Sequence, residues 1–559
     1  MAQTRAGKDP DILLKGGLIV DGSGGASYTA NILIRSGKVA RISPRALRSA
    51  GVIIECAGRV VAPGFIDAHS HLDWHIPLKG HDELKYPFLA QGITTVVAGN
   101  CGLSAAGFRE GSAWKERVSA MLAVGPPAAL NLAARRNPQA AQNPPSAARN
   151  PPLAMQWDTV AEYLARLESS GTSQNIALLV GHGSTRASIR GNDASPLHPY
   201  EIMELLWLLE HAMDQGARGV SLGLQYEPGA FARPDELREV ARLVKKKGKI
   251  LAVHPRAFAP VRRGQSLQAL TEVIDIARAT GVRLQVSHLF FAGPRAWRTA
   301  EAGIAAIDAA LKEGLDIGFD VTPYHCGASV IGVVLPSWFL ARGSAGFGEA
   351  SSLRRLKREL RVAERQIGFG PANIQVTNTL DPELAEHNGR FLHDVARMRR
   401  MAPVDALIDL SRRSGGHAKV LLHHDSTDRI VEALIRHPAA LFMTDAWVEH
   451  SGVQNPAAYG AFPRLLQLAR DRRLLPLEEA VRKMTGAAAE RFGLSGRGRL
   501  AEGLPADITV FDWDNIRDNT TPTDTSAAPQ GVEYVFVNGK KIIGSAKKEH
   551  PLNAGVPLR

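Results

Sequence analysis

Several residues of types that can bind transition metals or transfer protons lie at the ends of short apolar segments of this chain. His69 and His71 end the segment GRVVAPGFIDAHSH, with one residue between them. In an extended strand, residues i and i+2 point to the same side, so the two imidazoles would face one point. The other candidates each follow a different apolar segment, and they are Cys101, His254, His288 and Asp445.

These residue types indicate metal-assisted hydrolysis. Imidazole nitrogens and a thiolate are good zinc donors, at about 2.0–2.1 Å and 2.3 Å respectively, and Cys101 can hold one ion or bridge two. Zinc lowers the pKa of a water that it binds to about 7, which provides a hydroxide for attack. Asp445 can take a proton from that water and deliver one to a leaving amine, although it can also be a plain ligand or a helix N-cap.

Eight apolar segments predict the strands that position these residues. Amphipathic stretches such as DELREVARLVKKKG separate them, with apolar spacing of three and four and a final Gly. This alternation predicts a (β/α)₈ TIM-like barrel over residues 63–338 and 439–496, with its site at the carboxyl ends of the strands. The segments are VVAPGFIDAH, GITTVVAGNCG, NIALLVGHG, GARGVSLGLQY, KILAVHPRA, RLQVSHLFF, DIGFDVTPY and LFMTDAW.

The rest of the chain predicts smaller units. Short strands and turns at both termini, residues 1–62 and 497–559, predict one small β-sandwich domain. The Ala/Pro/Asn-rich residues 121–153 predict a flexible surface insertion. Residues 339–438 are too long for a loop, and we expect a small inserted lid domain over the barrel mouth.

Composition excludes several classes of protein. The 559 residues carry a formal charge of +12, but Lys and Arg are dispersed without interleaved aromatics, so no specific nucleic-acid site is expected. No apolar run approaches the roughly 20 residues that span a bilayer, which predicts a cytoplasmic protein without a membrane partner. The cysteines are too few for a disulfide framework, and they are Cys56, Cys101 and Cys326.

The chain resembles the amidohydrolase superfamily, and within it the N-acyl-D-amino-acid deacylase (D-aminoacylase) family. The resemblance extends from GLIVDGSG to GLPADITVF. It rests on PGFIDAHSHLD, GNCGLS, GHGSTR, SLGLQYEPG, the VHPR that carries His254, VSHL, DVTPY, YGAFPRLL and GRGRLAEGLPADITVFD. GNCG and SLGLQYEPG are fairly specific to the D-aminoacylase group, whereas HxH and GxxADxxxxD are common to the superfamily.

The resemblance implies a zinc enzyme that hydrolyses the amide of a small N-acylated D-amino acid. His69 and His71 would hold one metal position and Cys101, His254 and His288 the other, with one or two Zn²⁺ ions per chain. Asp445 would be the catalytic acid/base. Members of the superfamily are often oligomers, so a homo-oligomer is compatible with it.

The chain also departs from the family pattern near the substrate. The usual His-Pro-Arg before YGxFPR is Asn455-Pro456-Ala457 here, and Phe290 or Phe291 replaces a Lys after the VSHL histidine. An Arg that would hold a substrate carboxylate is therefore missing, and Arg186 or Arg256 is a candidate replacement. The remaining candidates for substrate binding are Tyr226, His182 and the aromatic Trp447.

Two other functions stay open from the sequence. A cyclic-amide hydrolase similar to dihydroorotase or hydantoinase would share the barrel, but the GNCG cysteine and the absence of a Lys in the fourth predicted strand argue against it. A non-catalytic scaffold of the same fold would have no physical need of the metal ligands or of Asp445.

Overall fold

The computed structural model describes residues 10–48, 51–112, 115, 156–256, 265–424, 426–450, 452–545, 547–549 and 552–559. The predicted flexible insertion, residues 121–153, lies outside these described residues. Within them, no helix combines the length and apolar character needed to cross a membrane.

The described strands fall into three sheets. Numbered along the chain, they are β1 (Ile12–Ile19), β2 (Tyr28–Arg35), β3 (Lys38–Ser43), β4 (Val52–Glu55), β5 (Val60–Pro63), β6 (Phe65–Asp67), β7 (Ile93–Ala98), β8 (Asn175–Gly181), β9 (Gly219–Gly223), β10 (Ile250–His254), β11 (Arg283–Val286), β12 (Ile317–Val321), β13 (Cys326–Val330), β14 (Ile374–Asn378), β15 (Lys419–His423), β16 (Ala440–Phe442), β17 (Ile508–Phe511), β18 (Val532–Val537), β19 (Lys540–Gly544), β20 (Lys547–Lys548) and β21 (Pro557–Leu558).

The central barrel consists of the eight strands that the sequence predicts. They run parallel in the order β6 to β12 and then β16, and β21 adds to β8. The N–H of Ala68 donates to the carbonyl of Phe442 at 3.1 Å, so the ends of the first and last strands meet and close the barrel. The strands are almost entirely buried, which explains why they read as continuous apolar segments.

Helices surround the barrel, and most of them bury an apolar face, although His182–Arg190 buries mainly polar side chains. In Pro234–Lys246, for example, Leu237, Val240, Ala241 and Val244 form the buried stripe. The helices of this layer are Tyr86–Ala90, Val160–Ser170, His182–Arg190, Pro199–Asp214, Pro234–Lys246, Gln265–Thr280, Ala300–Lys312, Asp428–Arg436, Ala457–Asp471, Leu477–Met484 and Gly486–Arg491.

Both ends of the chain form one small β domain. Its sheet runs in the order β20-β19-β18-β17-β5-β1-β2-β3, with β4 beside β1. The two halves join where β5 pairs antiparallel with β17, in register Pro63 to Ile508. This domain has its own apolar core, which includes Leu14, Ile32 and Phe536.

A further unit is inserted between β12 and β16. Its antiparallel sheet has the order β13-β15-β14, so β13 is an edge strand. The sheet begins at Cys326, upstream of the predicted boundary at residue 339, and packs with helices around a separate core that includes Ile331, Leu356 and Leu407. The helices are Ser337–Leu340, Gly343–Gly346, Ala350–Ile367, Leu392–Met398 and Pro403–Arg413.

Candidate functional site

Four predicted residues converge at the carboxyl ends of the barrel strands. One potential ligand atom from each of His69, Cys101, His288 and Asp445 lies within 4.8 Å of the others. The Sγ of Cys101 lies 3.2 Å from Nε2 of His69, 3.4 Å from Nε2 of His288 and 3.7 Å from Nδ1 of His254. The thiol therefore contacts imidazoles from three different strand ends.

Asp445 joins the remaining predicted ligand to this group. Its Oδ1 lies 3.3 Å from Nε2 of His69 and 3.3 Å from Nε2 of His71. The structure thus brings together all the residues that the sequence predicts as metal ligands, together with the predicted acid/base.

Three of these residues occupy left-handed backbone conformations. The φ angles are 56° at Cys101, 36° at His288 and 47° at Asp445, directly past the ends of β7, β11 and β16. L-residues rarely adopt this region, and each such position costs on the order of 1–3 kcal/mol unless its surroundings enforce it. The left-handed turns direct these three side chains back over the barrel mouth.

The turn that carries Cys101 depends on a close contact with a neighbouring strand. Gly102 has a φ of +72°, and a Cβ at this position would lie 2.5 Å from the backbone nitrogen of Gly223. The N–H of Gly102 donates to Oγ of Ser221 at 3.0 Å. The second glycine of GNCG is therefore required both by its conformation and by the approach of β9.

Asp320 orients two of the histidines. On β12, its Oδ1 accepts the backbone N–H of His288 at 2.5 Å and lies 3.3 Å from Nδ1 of His69. The other oxygen accepts from Nε2 of Gln285 at 3.0 Å. A carboxylate behind a ligating imidazole fixes its tautomer and ring orientation.

Asp67 links the first and last strands beneath the site. Its Oδ1 accepts the N–H groups of His69 at 3.2 Å and Thr444 at 2.9 Å, and its Oδ2 accepts the Thr444 hydroxyl at 2.6 Å. Asn455 donates to the carbonyl of Asp445 at 3.3 Å. Asn455 belongs to the segment that departs from the family pattern, and here it helps to hold the turn of Asp445.

The charges of the site oppose the effect of burial. Burial alone would raise the pKa of the Cys101 thiol and of the Asp445 carboxyl, but the rings of His69 and His288 hold both pKa values well below their usual ranges. Burial alone would lower the pKa of His69, but Cys101, Asp445 and Asp320 raise it well above its usual value. Burial and the neighbouring His288 lower the pKa of His254 to about 4. Anionic sulfur and oxygen donors among imidazoles suit the exchange of protons for a divalent cation.

A cavity of about 80 Å³ lies over these residues, between the barrel mouth and the inserted unit. Apart from the predicted ligands and Asp445, its wall is largely apolar, and no Lys or Arg of the described residues lines it. The other lining residues are Leu103, Gln225, Tyr226, Phe290, Ala292, Gly327, Ala328, Ser329, Val330, Val333, Phe369, Leu422 and Trp447.

Two of the five predicted substrate-binding residues line this cavity. The hydroxyl of Tyr226 donates to the carbonyl of Cys101 at 2.7 Å, so it supports the turn of the thiol. The ring of Trp447 meets that of His71 edge-on, with the centroids 5.9 Å apart. Trp447 thus forms an aromatic wall beside a predicted ligand.

The structure places His182 and Arg186 elsewhere, which corrects the expectation that they face the substrate. Both lie on the helix His182–Arg190 and are fully buried against Glu236, whose Oε1 is 2.8 Å from Nε2 of His182 and accepts from Nε of Arg186 at 3.2 Å. The helix begins directly after β8, so its side chains project into the helical layer rather than into the barrel mouth.

Arg256 also does not line the cavity over the site. Its Nε donates to Glu272 at 3.2 Å and its Nη1 to the carbonyl of Ala230 at 2.8 Å. It lines a neighbouring cavity of about 190 Å³, which shares Gln225, Val333 and Phe369 with the first. Arg256 is therefore a structural partner of Glu272 in this conformation, and not a carboxylate clamp at the site.

Some residues that contribute to the site could not be recognised from the sequence pattern. Gln225 places Oε1 2.9 Å from Nε2 of His254, but a glutamine after a strand is unremarkable in sequence. Phe369 and Leu422 belong to the inserted unit, and no local spacing relates them to the barrel. Asp67 lies two residues before His69, so the two side chains point to the same side of an extended strand. This spacing is the sign in the sequence that Asp67 supports the site.

Comparisons with known proteins identify the family of this chain and agree with its fold. A family model described as the amidohydrolase family matches residues 52–289 and 349–543. An N-acyl-D-glutamate deacylase of Alcaligenes xylosoxydans xylosoxydans is 30% identical over 554 residues, which cover 97% of this chain and 95% of the relative.

Solved structures extend the comparison. The chain resembles a crystal structure of N-acyl-D-glutamate deacylase from Bordetella bronchiseptica, complexed with zinc and a phosphonate mimic of the tetrahedral intermediate, with a TM-score of 0.77, 27% identity and coverage of 99% and 100% of the two chains. It also resembles a D-aminoacylase structure described for the functional role of its binuclear metal center, with a TM-score of 0.76, 26% identity and coverage of 98% and 99%.

Proposed function

This chain belongs to the amidohydrolase family, whose relatives here hydrolyse amide C–N bonds, and we propose that it is a zinc-dependent deacylase of N-acyl-D-amino acids. The observation that carries the proposal is the convergence of a thiol, imidazoles and a carboxylate under one cavity. The near full-length similarity to N-acyl-D-amino-acid deacylases supports the substrate class.

The donor set fits zinc. Buried sulfur and imidazole donors converge within a few ångströms. Such a donor set binds Zn²⁺ in preference to Mg²⁺ or Ca²⁺. His69 and His71 would hold one position, and Cys101, His254 and His288 would hold the other. When bound, zinc would polarise the substrate carbonyl and lower the pKa of a water to about 7.

Asp445 would transfer the protons of the reaction. Its low pKa keeps the carboxylate ionised at neutral pH, so Oδ1 or Oδ2 can accept a proton from the attacking water. The protonated carboxyl would then donate to the amide nitrogen as the C–N bond breaks. The left-handed turn at Asp445, held by Asn455 and by the N–H bond to the His69 carbonyl at 3.0 Å, fixes the carboxylate over the site.

The cavity wall favours an apolar substrate. Phe290, Val330, Phe369, Leu422 and Trp447 offer apolar surface, and the described lining contains no Lys or Arg to hold a second carboxylate. We therefore expect N-acyl derivatives of D-leucine, D-methionine or D-phenylalanine to be better substrates than those of D-glutamate or D-aspartate.

The experiment combines metal analysis with a substrate panel. We expect one or two zinc ions per chain, and release of free amino acid from N-acetyl-D-leucine at least tenfold faster, by kcat/KM, than from its L enantiomer. Zinc without turnover of any N-acyl-D-amino acid would contradict the proposed substrate class. Faster cleavage of dihydroorotate or a hydantoin would favour the cyclic-amide alternative.

A further inference from the structure

A second group of metal-binding side chains lies at the rim of the barrel, apart from the site described above. His81 Nδ1 is 3.1 Å from Oε1 of Glu83, and His450 Nδ1 is 3.6 Å from the same oxygen. The two rings meet edge-on, with their centroids 5.3 Å apart. One ligand atom from each residue lies within 4.8 Å of the others.

The three residues come from two loops that also carry the active-site residues. His81 and Glu83 follow His71 in the loop after β6, and His450 follows Asp445 and Trp447 in the loop after β16. These two strands meet where the barrel closes. The rim group thus spans the two loops at their outer ends, while Asp445 and His71 span them at their inner ends.

We propose that His81, Glu83 and His450 form a second metal site, which takes a divalent cation of the zinc class. Two imidazole nitrogens and one carboxylate oxygen are a donor set that zinc accepts with a fourth position open to water. The side chains are 40%, 56% and 36% exposed, so an ion can enter and leave from solvent. The site lacks a thiolate and a buried supporting carboxylate, and it therefore binds zinc more weakly than the centre at Cys101.

Zinc at this position clamps the loop of His71 to the loop of Asp445. An ion that binds only the folded chain stabilises it in proportion to its free concentration. The expected consequence is a stability that continues to rise with zinc after the catalytic centre is full. This inference does not depend on the proposed substrate.

The test measures zinc per chain in protein without an affinity tag. Wild type, His81→Ala, His450→Ala and the control His393→Ala are stripped with a chelator and dialysed against a series of buffered free zinc concentrations. His393 is a matched control because it is also exposed, at 45%, and lies beside one carboxylate, Asp394, at 3.3 Å. We expect wild type and His393→Ala to bind one zinc ion more than either rim variant.

A melting series separates this site from a general effect on folding. In the presence of chelator, the four proteins should have the same melting temperature, because the substituted side chains are exposed. At zinc concentrations above saturation of the first centre, the melting temperature should rise further only in wild type and His393→Ala. Equal zinc content in all four proteins, or loss of the extra ion in only one rim variant, would overturn the proposal.

Discussion

Two buried clusters of polar side chains at the same end of the barrel, each containing histidine, differ in how their side chains are used. At the site, the side chains of His69, Cys101 and Asp445 converge below an open cavity. In the other cluster, His182 and Arg186 close around Glu236, and none of the three lines the cavity over the site. Both clusters follow barrel strands, so position after a strand does not by itself create a reactive site.

The backbone after each strand accounts for the difference. Cys101 and Asp445 lie in left-handed turns that point their side chains over the strand ends. β8 instead continues directly into the helix His182–Arg190, which carries its polar side chains outward. The first arrangement stores strain and leaves donor atoms available for an ion, whereas the second pairs its charges and stabilises the fold.

The largest effect is expected for Asp445→Asn, which removes the predicted acid/base of the site. The amide cannot accept the proton of the attacking water, so we expect kcat to fall by about 10²–10⁴-fold. Zinc per chain, measured by elemental analysis, should stay close to the wild-type value. Turnover at the wild-type rate would show that Asp445 is not the acid/base.

Arg186→Ala should affect stability and not chemistry. The guanidinium is fully buried, and its loss leaves Glu236 short of a charged partner, so we expect a decrease of about 3–5 kcal/mol in the free energy of unfolding. Denaturant titration gives this value, and kcat per folded molecule should not change. Arg233→Ala, at an exposed pair with Asp235, serves as the control with little effect. A raised KM without a loss of stability would indicate that Arg186 binds the substrate.

Asp320→Asn should act through the metal ligands. Its carboxylate orients the ring of His69 and the turn of His288, so we expect zinc affinity or kcat/KM to fall by about 10–100-fold. Zinc affinity is measured by competition with a chelating dye. Gln285→Ala, which removes a hydrogen-bond donor to Asp320 and an acceptor for Arg491, should have a smaller effect on zinc affinity. An unchanged zinc affinity together with an unchanged kcat/KM for Asp320→Asn would contradict the positioning role.

The smallest expected effect is the pH dependence of the closed cluster. Burial opposes ionisation of Glu236, but the bond with His182 and the charge of Arg186 lower its pKa below the usual value. A lowered pKa in the folded state means that this stability is present above about pH 4.3 and is lost as the pH falls through the folded value. Glu236→Gln should therefore flatten the stability profile below about pH 4.3 in acid titrations followed by circular dichroism, and an unchanged profile would exclude this contribution.

The sequence predicts the barrel well because its strands are buried on both faces. Each of the eight apolar segments contains a barrel strand, although the first also contributes β5 to the terminal β domain. The residues His69, Cys101, His254, His288 and Asp445 meet because parallel strands end at one edge. The placement of these residues at one edge follows from periodicity and topology, whereas the direction of their side chains also depends on the turns after the strands.

The substrate-facing surface could not be predicted in the same way. Val330, Phe369 and Leu422 come from the inserted unit, and their approach to the barrel depends on tertiary packing with no local pattern. The direction of Arg186 and Arg256 also depends on partners distant in sequence, Glu236 and Glu272. The charge of each arginine and its position after a strand suggest that it binds a substrate carboxylate. In the structure, Arg186 and Arg256 instead pair with Glu236 and Glu272 of the protein itself.

The closure of the barrel has a consequence for the order of events during synthesis. Asp67 and Thr444 are 377 positions apart, and their hydrogen bonds lie directly beneath the metal ligands. While the ribosome is still making the inserted unit, His69, Cys101, His254 and His288 already exist, but the carboxylate of Asp445 does not. The nascent chain therefore holds the predicted metal ligands before it holds the predicted acid/base, and the complete site forms once the last strand docks beside the first.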